Sequence, residues 1–167
     1  MQRRGAAVIS AIWFVLAPGV VAGLVPWLLT AWEVRNLPAY WMPVRLIGGL
    51  AVLAGVAVLA HSFVRFVVEG FGTPVPVAPT RRLVVGGLYR YVRNPMYVAV
   101  LAAIGGQVLV LGQLQLLVYG AVVAVVVAAF VHGYEEPALR RRFGEEYAEY
   151  RRAVPAWRPR SRPWAPR

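Results

Sequence analysis

Two short polar clusters interrupt an otherwise apolar chain, and they hold the groups best suited to chemistry. The first is Gly87-Leu88-Tyr89-Arg90-Tyr91-Val92-Arg93-Asn94-Pro95-Met96-Tyr97; the second is His132-Gly133-Tyr134-Glu135-Glu136-Pro137-Ala138-Leu139. The first offers donors: the Arg93 guanidinium, the Asn94 amide and the N–H groups of a helix starting near Pro95, all of which suit carboxylates or phosphates. The second offers Glu135 and Glu136, which attract an ammonium or a sulfonium, while the tyrosines add aromatic faces for a purine or a cation. A zwitterionic, adenine-bearing cofactor would engage all of these groups at once. The same residues also have a plainer reading, in which Asn94-Pro95 merely starts a helix, Arg93 snorkels and the glutamates are solvated. Residue types alone leave both open.

Other chemistries are poorly supplied. All 18 basic residues are Arg and all 7 acidic residues are Glu, with no Lys, Asp or Cys. Disulfides, thiolate zinc sites, a Cys nucleophile and a Ser-His-Asp triad are thereby excluded. His61 and His132 lie on different segments, so no metal site is expected. No Gly-x-Gly-x-x-Gly follows a strand, which argues against a soluble dinucleotide-type fold, and Gly86-Gly87 reads as a turn. A mild reaction, one needing alignment more than acid–base machinery, fits this inventory.

Membrane helices must carry the clusters. The chain has 167 residues, 59% hydrophobic and 15% charged, with a mean hydropathy of +0.59. This predicts an all-α, polytopic membrane helical bundle of about four transmembrane helices forming a single membrane domain. From 94 to 134 there is no charged residue, and at about 1.5 Å per residue such a stretch crosses a core of about 30 Å twice. It therefore turns, at Gly112-Gln113-Leu114-Gln115, into a hairpin with arms 96–111 and 116–133. A short hairpin returns the chain to the side it left, so the two polar clusters meet. On the first arm Ala99, Ala102, Ala103 and Gly106 let a backbone or a ligand approach closely, with helix packing the favoured reading.

The N-terminal part, 1–68, supplies two more transmembrane helices. One falls within 5–32, kinked by Pro18-Gly19 and Pro26; the other covers 46–64, bounded by Arg45 and Arg65. The first follows Gln2-Arg3-Arg4 without a small-residue cleavage pattern and reads as a retained helix, not a leader. A cytoplasmic connector, 69–95, contains Gly72-Thr73-Pro74-Val75-Pro76, Pro79, Arg81 and Arg82; His61 and Glu69 read as interfacial groups beside it. After the hairpin, 96–134, Glu135-Glu136-Pro137 is expected to end the membrane helix and open another. In 135–167 this cytoplasmic amphipathic helix presents Leu139, Phe143, Tyr147, Tyr150 and Val154 as one apolar stripe, so it lies at the headgroups or caps the bundle. The Pro-, Arg- and Trp-rich tail is expected to be irregular and to touch anionic lipid.

Arginine placement orients the protein. With both termini cytoplasmic, only Arg35 and Arg45 fall on the far side, as the positive-inside rule requires. The formal charge of +11 then needs no nucleic-acid partner. The expected location is the membrane, of a bacterial inner-membrane type, with membrane lipids and a lipophilic small-molecule substrate as partners and a monomer or homodimer as the assembly.

The run 87–97, the hairpin, Glu135-Glu136 with Leu139, and Phe143-Gly144-Glu145-Glu146-Tyr147 with Tyr150 together resemble the isoprenylcysteine carboxyl methyltransferases and the related phospholipid N-methyltransferases. Those families share Arg-His-Pro-x-Tyr followed, after a hairpin, by Glu-Glu. The resemblance covers 72–155; the two N-terminal helices match only as hydrophobic spans. It implies a membrane methyltransferase that moves a methyl group from S-adenosylmethionine to a lipophilic acceptor: a carboxylate, amine or hydroxyl of an isoprenoid or lipid-like molecule. Arg93, Pro95 and Tyr97 match the first motif, and Glu135 and Glu136 the second. Asn94 stands where the family has His; its amide can donate a hydrogen bond but cannot become cationic or shuttle a proton. The cofactor-binding residues implied are Leu88, Tyr89, Arg93, Asn94, Pro95, Tyr97, Glu135, Glu136 and Leu139. Glu136, Arg140 and Tyr150 are the implied catalytic residues, and Tyr147 and Arg151 meet the acceptor. A sterol-type membrane reductase using a nicotinamide cofactor and a non-catalytic membrane subunit are the alternatives.

Overall fold

A computed structural model describes residues 16–70 and 83–165, with 66–70 described by their backbone alone. The start of the expected first span with Arg3 and Arg4, the Gly72 to Pro79 run, Arg81, Arg82, Arg167 and the Glu69 side chain lie outside the described residues. Within them all regular secondary structure is helical. Helix α1 is Leu16–Thr30, with a π-helical stretch at Val20–Leu24; α2 is Met42–Gly70, led in by a 3-10 turn at Ala39–Trp41. A second 3-10 turn at Gly87–Arg90 precedes α3, Pro95–Leu111. Then come α4, Leu114–Phe130, a π-helical turn at Val131–Glu135 and α5, Glu136–Ala153.

The hairpin forms as the charge-free stretch predicts. Its turn is tighter than expected, only Gly112 and Gln113, because Gly112 takes φ 70° at the end of α3, the left-handed conformation that glycine adopts without penalty. Loop 31–38 braces that turn: the Arg35 N–H donates to Leu111 O at 2.9 Å, satisfying a carbonyl that the helix end orphans.

Helices α2 and α3 run antiparallel in close contact. A Cβ at Gly106 would lie 2.6 Å from Gly48 O, and one at Gly55 would lie 2.7 Å from Ala99 O. The small residues predicted on the first arm thus let α2 approach, and Leu59, Ala99, Val100 and Ile104 fill the core beside them. Helix α1 is tied on by polar side chains. Pro26 has no N–H to give the Ala22 carbonyl four residues back, and Gln107 Nε2 donates to that carbonyl at 2.7 Å. Tyr119 OH donates to Val21 O at 2.7 Å. The π-helical stretch of α1 therefore leaves no cost of unpaired carbonyls at these two residues.

The outer surface is apolar. Leu46, Leu50 and Leu53 on α2 and Val118, Val122 and Val125 on α4 are all exposed, the inverse of a water-soluble protein and the arrangement lipid demands. Two helical stretches, Ala39–Arg65 and Leu114–Ala153, are long and apolar enough to cross a membrane; the apolar helices Leu16–Thr30 and Pro95–Leu111 are shorter.

One expected boundary differs. Glu135-Glu136-Pro137 does not stop the chain's helix, which continues from α4 into α5. The π-helical turn just before Pro137 absorbs the missing N–H by widening the local hydrogen-bond register, so the proline sits in the first turn of α5 without breaking the rod. The break falls later, at Gly144 with φ 51° and ψ −123°, a conformation open to glycine alone.

Candidate functional site

The first polar cluster reaches the site through the start of α3. Pro95, which lacks the N–H that a first-turn residue leaves unpaired anyway, is buried in the first turn, and Asn94 precedes it with no side-chain capping bond. The second cluster arrives on the π-helical turn at the far end of α4. The hairpin thus does what its shortness requires and brings the two together.

Successive helical residues point about 100° apart, and the two glutamates accordingly meet different partners. Glu136 is buried. Its Oε1 accepts from Arg93 Nη1 at 2.7 Å, and both side chains are nearly sealed, 10% and 9% exposed. Its Oε2 lies 3.2 Å from Arg151 Nη2 and 3.6 Å from His132 Nδ1. Glu135 Oε2 instead accepts from the Tyr97 hydroxyl at 3.1 Å, and among the described residues it has no cationic partner. Burial pushes the Glu135 carboxyl above its ordinary value; the Tyr97 bond pulls it back and the neighbouring Glu136 charge pushes it further up.

Arg93 is a hub. Besides Glu136 it donates from Nη1 to the Tyr147 hydroxyl at 3.0 Å and from Nε to Val154 O at 2.9 Å. Tyr150, buried, donates its hydroxyl to Tyr89 O at 2.7 Å. Burial raises both phenols above their usual range, against the opposing pull of Arg93, so both stay protonated near neutral pH. The apolar stripe of α5 faces inward: Tyr147, Tyr150 and Val154 form a buried cluster with Leu83, Val85, Leu139, Phe143 and Trp164 around it. The surface it packs on is the connector and the tail, through Leu83, Val85 and Trp164.

The structure therefore brings Tyr89, Arg93, Tyr97, Glu135, Glu136, Tyr147, Tyr150 and Arg151 into one connected group. Leu139 packs in the cluster below, Leu88 is half-buried in the 3-10 turn, and Arg140 is exposed on α5. The Asn94 main-chain N–H donates to Ala156 O.

Sequence reasoning missed three contributors. His132 could have been found, since it lies four residues before Glu136 and so on the same helical face. The end of α2 also reaches the site: a Cβ at Gly87, where φ is +58°, would lie 2.7 Å from His61 Nε2 and 3.0 Å from Arg65 Nε. The third is the tail. Its described part, 155–165, has no regular secondary structure, as expected, yet it is bonded to the first cluster: the Arg93 N–H donates to Pro155 O at 2.9 Å, the Arg160 N–H to Tyr91 O at 2.9 Å and the Trp164 N–H to Arg90 O at 3.0 Å. Arg90 Nε returns a bond to Trp164 O at 2.6 Å. Its composition announced only irregularity and gave no signal of a docking site.

Set against known proteins, residues 43–146, more than half of the chain, match the family model described as phospholipid methyltransferase. No curated protein and no solved structure matches.

Proposed function

Since the chain belongs to the phospholipid methyltransferase family, we propose that it transfers a methyl group from S-adenosylmethionine to a lipophilic acceptor held at the membrane surface. The observation that carries this reading is the unequal company of Glu135 and Glu136. Glu136 is neutralised by Arg93 and Arg151; Glu135, bonded to the Tyr97 hydroxyl, is a partly buried carboxylate without a countercharge among the described residues. Beside it, Tyr97 lies in the first turn of α3, whose N-terminus carries no side-chain cap. An uncompensated carboxylate next to an uncapped helix N-terminus suits a ligand bearing both an ammonium and a carboxylate. The amino-acid end of S-adenosylmethionine is such a group.

In this reading Glu135 holds the ammonium, and the Asn94 amide and first-turn N–H groups of α3 hold the carboxylate. Leu88, Tyr89, Pro95, Tyr97 and Leu139 form the wall for the adenosine. Arg93 and Glu136 act on the ligand through the shape they impose, as positioning residues. When bound, the cofactor supplies an electrophilic methyl group on a sulfonium, for which the protein's task is alignment and exclusion of water. The acceptor comes sideways from the lipid past Phe130 and Tyr134, which stack at 5.3 Å on the exposed side of the same π-helical turn. Arg140, Arg151 and Tyr147 orient its polar head. An arginine suits an acceptor carboxylate; for an amine, a glutamate assists deprotonation. Tyr150 supports this face through Tyr89.

The accompanying topology is four crossings with both termini cytoplasmic, in a bacterial inner membrane. Exposed Trp27, Trp32 and Tyr40 support the crossings, because they stand at the end of the bundle opposite the arginine-rich segments, where an aromatic interfacial belt belongs.

The test is a calorimetric titration of detergent-purified protein with S-adenosylmethionine and S-adenosylhomocysteine, followed by transfer of a labelled methyl group into a membrane lipid extract. Saturable binding that Glu135→Gln abolishes is expected. No binding by the wild type, or undiminished binding by Glu135→Gln, overturns the assignment.

A further inference from the structure

The tail bonded across the first cluster has no place in the family's motifs. We infer that segment 154–164 is a strap that sets cofactor affinity by fixing the 89–94 loop, and that Trp164 is its positioning residue; this rests on the function proposed above. Neither partner has regular secondary structure beyond the short 3-10 turn, so each would lose its shape without the other. The loop's main chain is tied to the strap at four residues: Arg90 and Tyr91 accept through their carbonyls from Trp164 and Arg160, and Arg93 and Asn94 donate through their N–H groups to Pro155 and Ala156. Side chains close the two ends. Arg93 Nε bonds Val154 O at one end and Arg90 Nε bonds Trp164 O at the other, while Arg160 Nη1 folds back onto Ala153 O at 2.9 Å.

Trp164 anchors the far end. Its ring centroid lies 5.4 Å from that of Tyr150, whose hydroxyl in turn holds Tyr89 O. At the near end Trp157 meets His132 edge-on at 6.4 Å. Pro155, Pro159 and Pro163 restrict the strap before it docks, so less entropy is lost on ordering it. The loop held in this way carries Tyr89 and Asn94, assigned above to the cofactor, and the positioning residue Arg93. Freeing it makes binding bear the cost of ordering the loop.

Trp164→Ala in the full chain tests this, with Trp164→Phe as the variant that keeps a ring on Tyr150. Affinity for S-adenosylhomocysteine should fall roughly tenfold in Trp164→Ala and recover in Trp164→Phe, with KM for the cofactor rising and kcat at saturation unchanged. Amide exchange at 90–94 should quicken in the alanine variant without ligand, which reads the strap even if the wild type binds no adenosyl cofactor. Should Trp164→Ala fail to purify, Arg90→Met removes the bond to Trp164 O from the other side and should act in the same direction. Unchanged exchange at 90–94, or unchanged cofactor affinity in a variant whose wild type binds, overturns the inference.

Discussion

Glu135 and Glu136 are neighbours in sequence that face different chemistry: one accepts from the Tyr97 hydroxyl at 3.1 Å, the other from the Arg93 guanidinium at 2.7 Å. A π-helical turn ending at Glu135 aims them apart. The division separates a carboxylate without a cationic partner among the described residues from one consumed in holding the site together.

Binding should depend on pH through Glu135. Its carboxyl is raised above 4.5, mainly by burial. A raised carboxyl favours the protonated folded state, so its contribution to stability is present below 4.5 and lost as pH rises through the raised value. A cationic ligand selects the ionised form, so affinity should climb over the same window and then level off. Tyr97→Phe removes the bond that pulls the carboxyl down and should shift the climb to higher pH. Calorimetry across pH on wild type, Tyr97→Phe and Glu135→Gln checks this; a pH-independent wild type would remove Glu135 from the ligand.

Breaking the Arg93–Glu136 pair should cost more than either side chain's area suggests, since a buried charge is left short of a partner. Arg93→Ala and Glu136→Ala should each destabilise by about 3 kcal/mol, with the double variant far from additive. Chemical unfolding of all four proteins in one detergent gives the coupling directly. Additive losses would mean the two side chains do not hold each other.

At the α2–α3 crossing, Gly106→Val forces a Cβ to within 2.6 Å of the Gly48 carbonyl oxygen, where only backbone can yield. A loss of about 1–3 kcal/mol is expected, appearing as a lower Tm. Gly105→Ala, next in the chain but facing open space, is the matched control and should be close to neutral.

Gln107→Leu should loosen α1. It strips the donor from Ala22 O and the acceptor that Trp32 Nε1 reaches at 3.2 Å. Leaving such groups unpaired in lipid costs about 1–3 kcal/mol. Faster amide exchange confined to α1, with α3 and α4 unchanged, is the expected pattern.

How far the sequence announced this structure depends on what kind of force decides each feature. The hairpin was legible because the run without charge is too long for one crossing and Gly112 marks the only good place to turn. The meeting of the two clusters followed from that topology alone. The inward face of α5 was legible in the spacing of Tyr147, Tyr150 and Val154. The continuous helix through Pro137 was not, because a π-helical turn changes hydrogen-bond register without changing composition. Nor could residue types tell that Arg93 and Glu136 would meet each other, since a guanidinium and a carboxylate complement one another as well as they complement a zwitterionic ligand. The strap was the least legible: its bonds are mostly main chain to main chain, and those leave no mark on side-chain identity.

The helix that starts at Leu114 and runs without a break as far as Gly144 turns the bilayer into a ruler for the site. Its lower portion is anchored in depth by an apolar length that must match the hydrocarbon, and its upper portion bears Glu135 and Glu136 on the same stiff axis. The carboxylates consequently stand at a height fixed by the membrane itself, and the function proposed above then requires an acceptor whose reactive head floats at that level above its own buried tail.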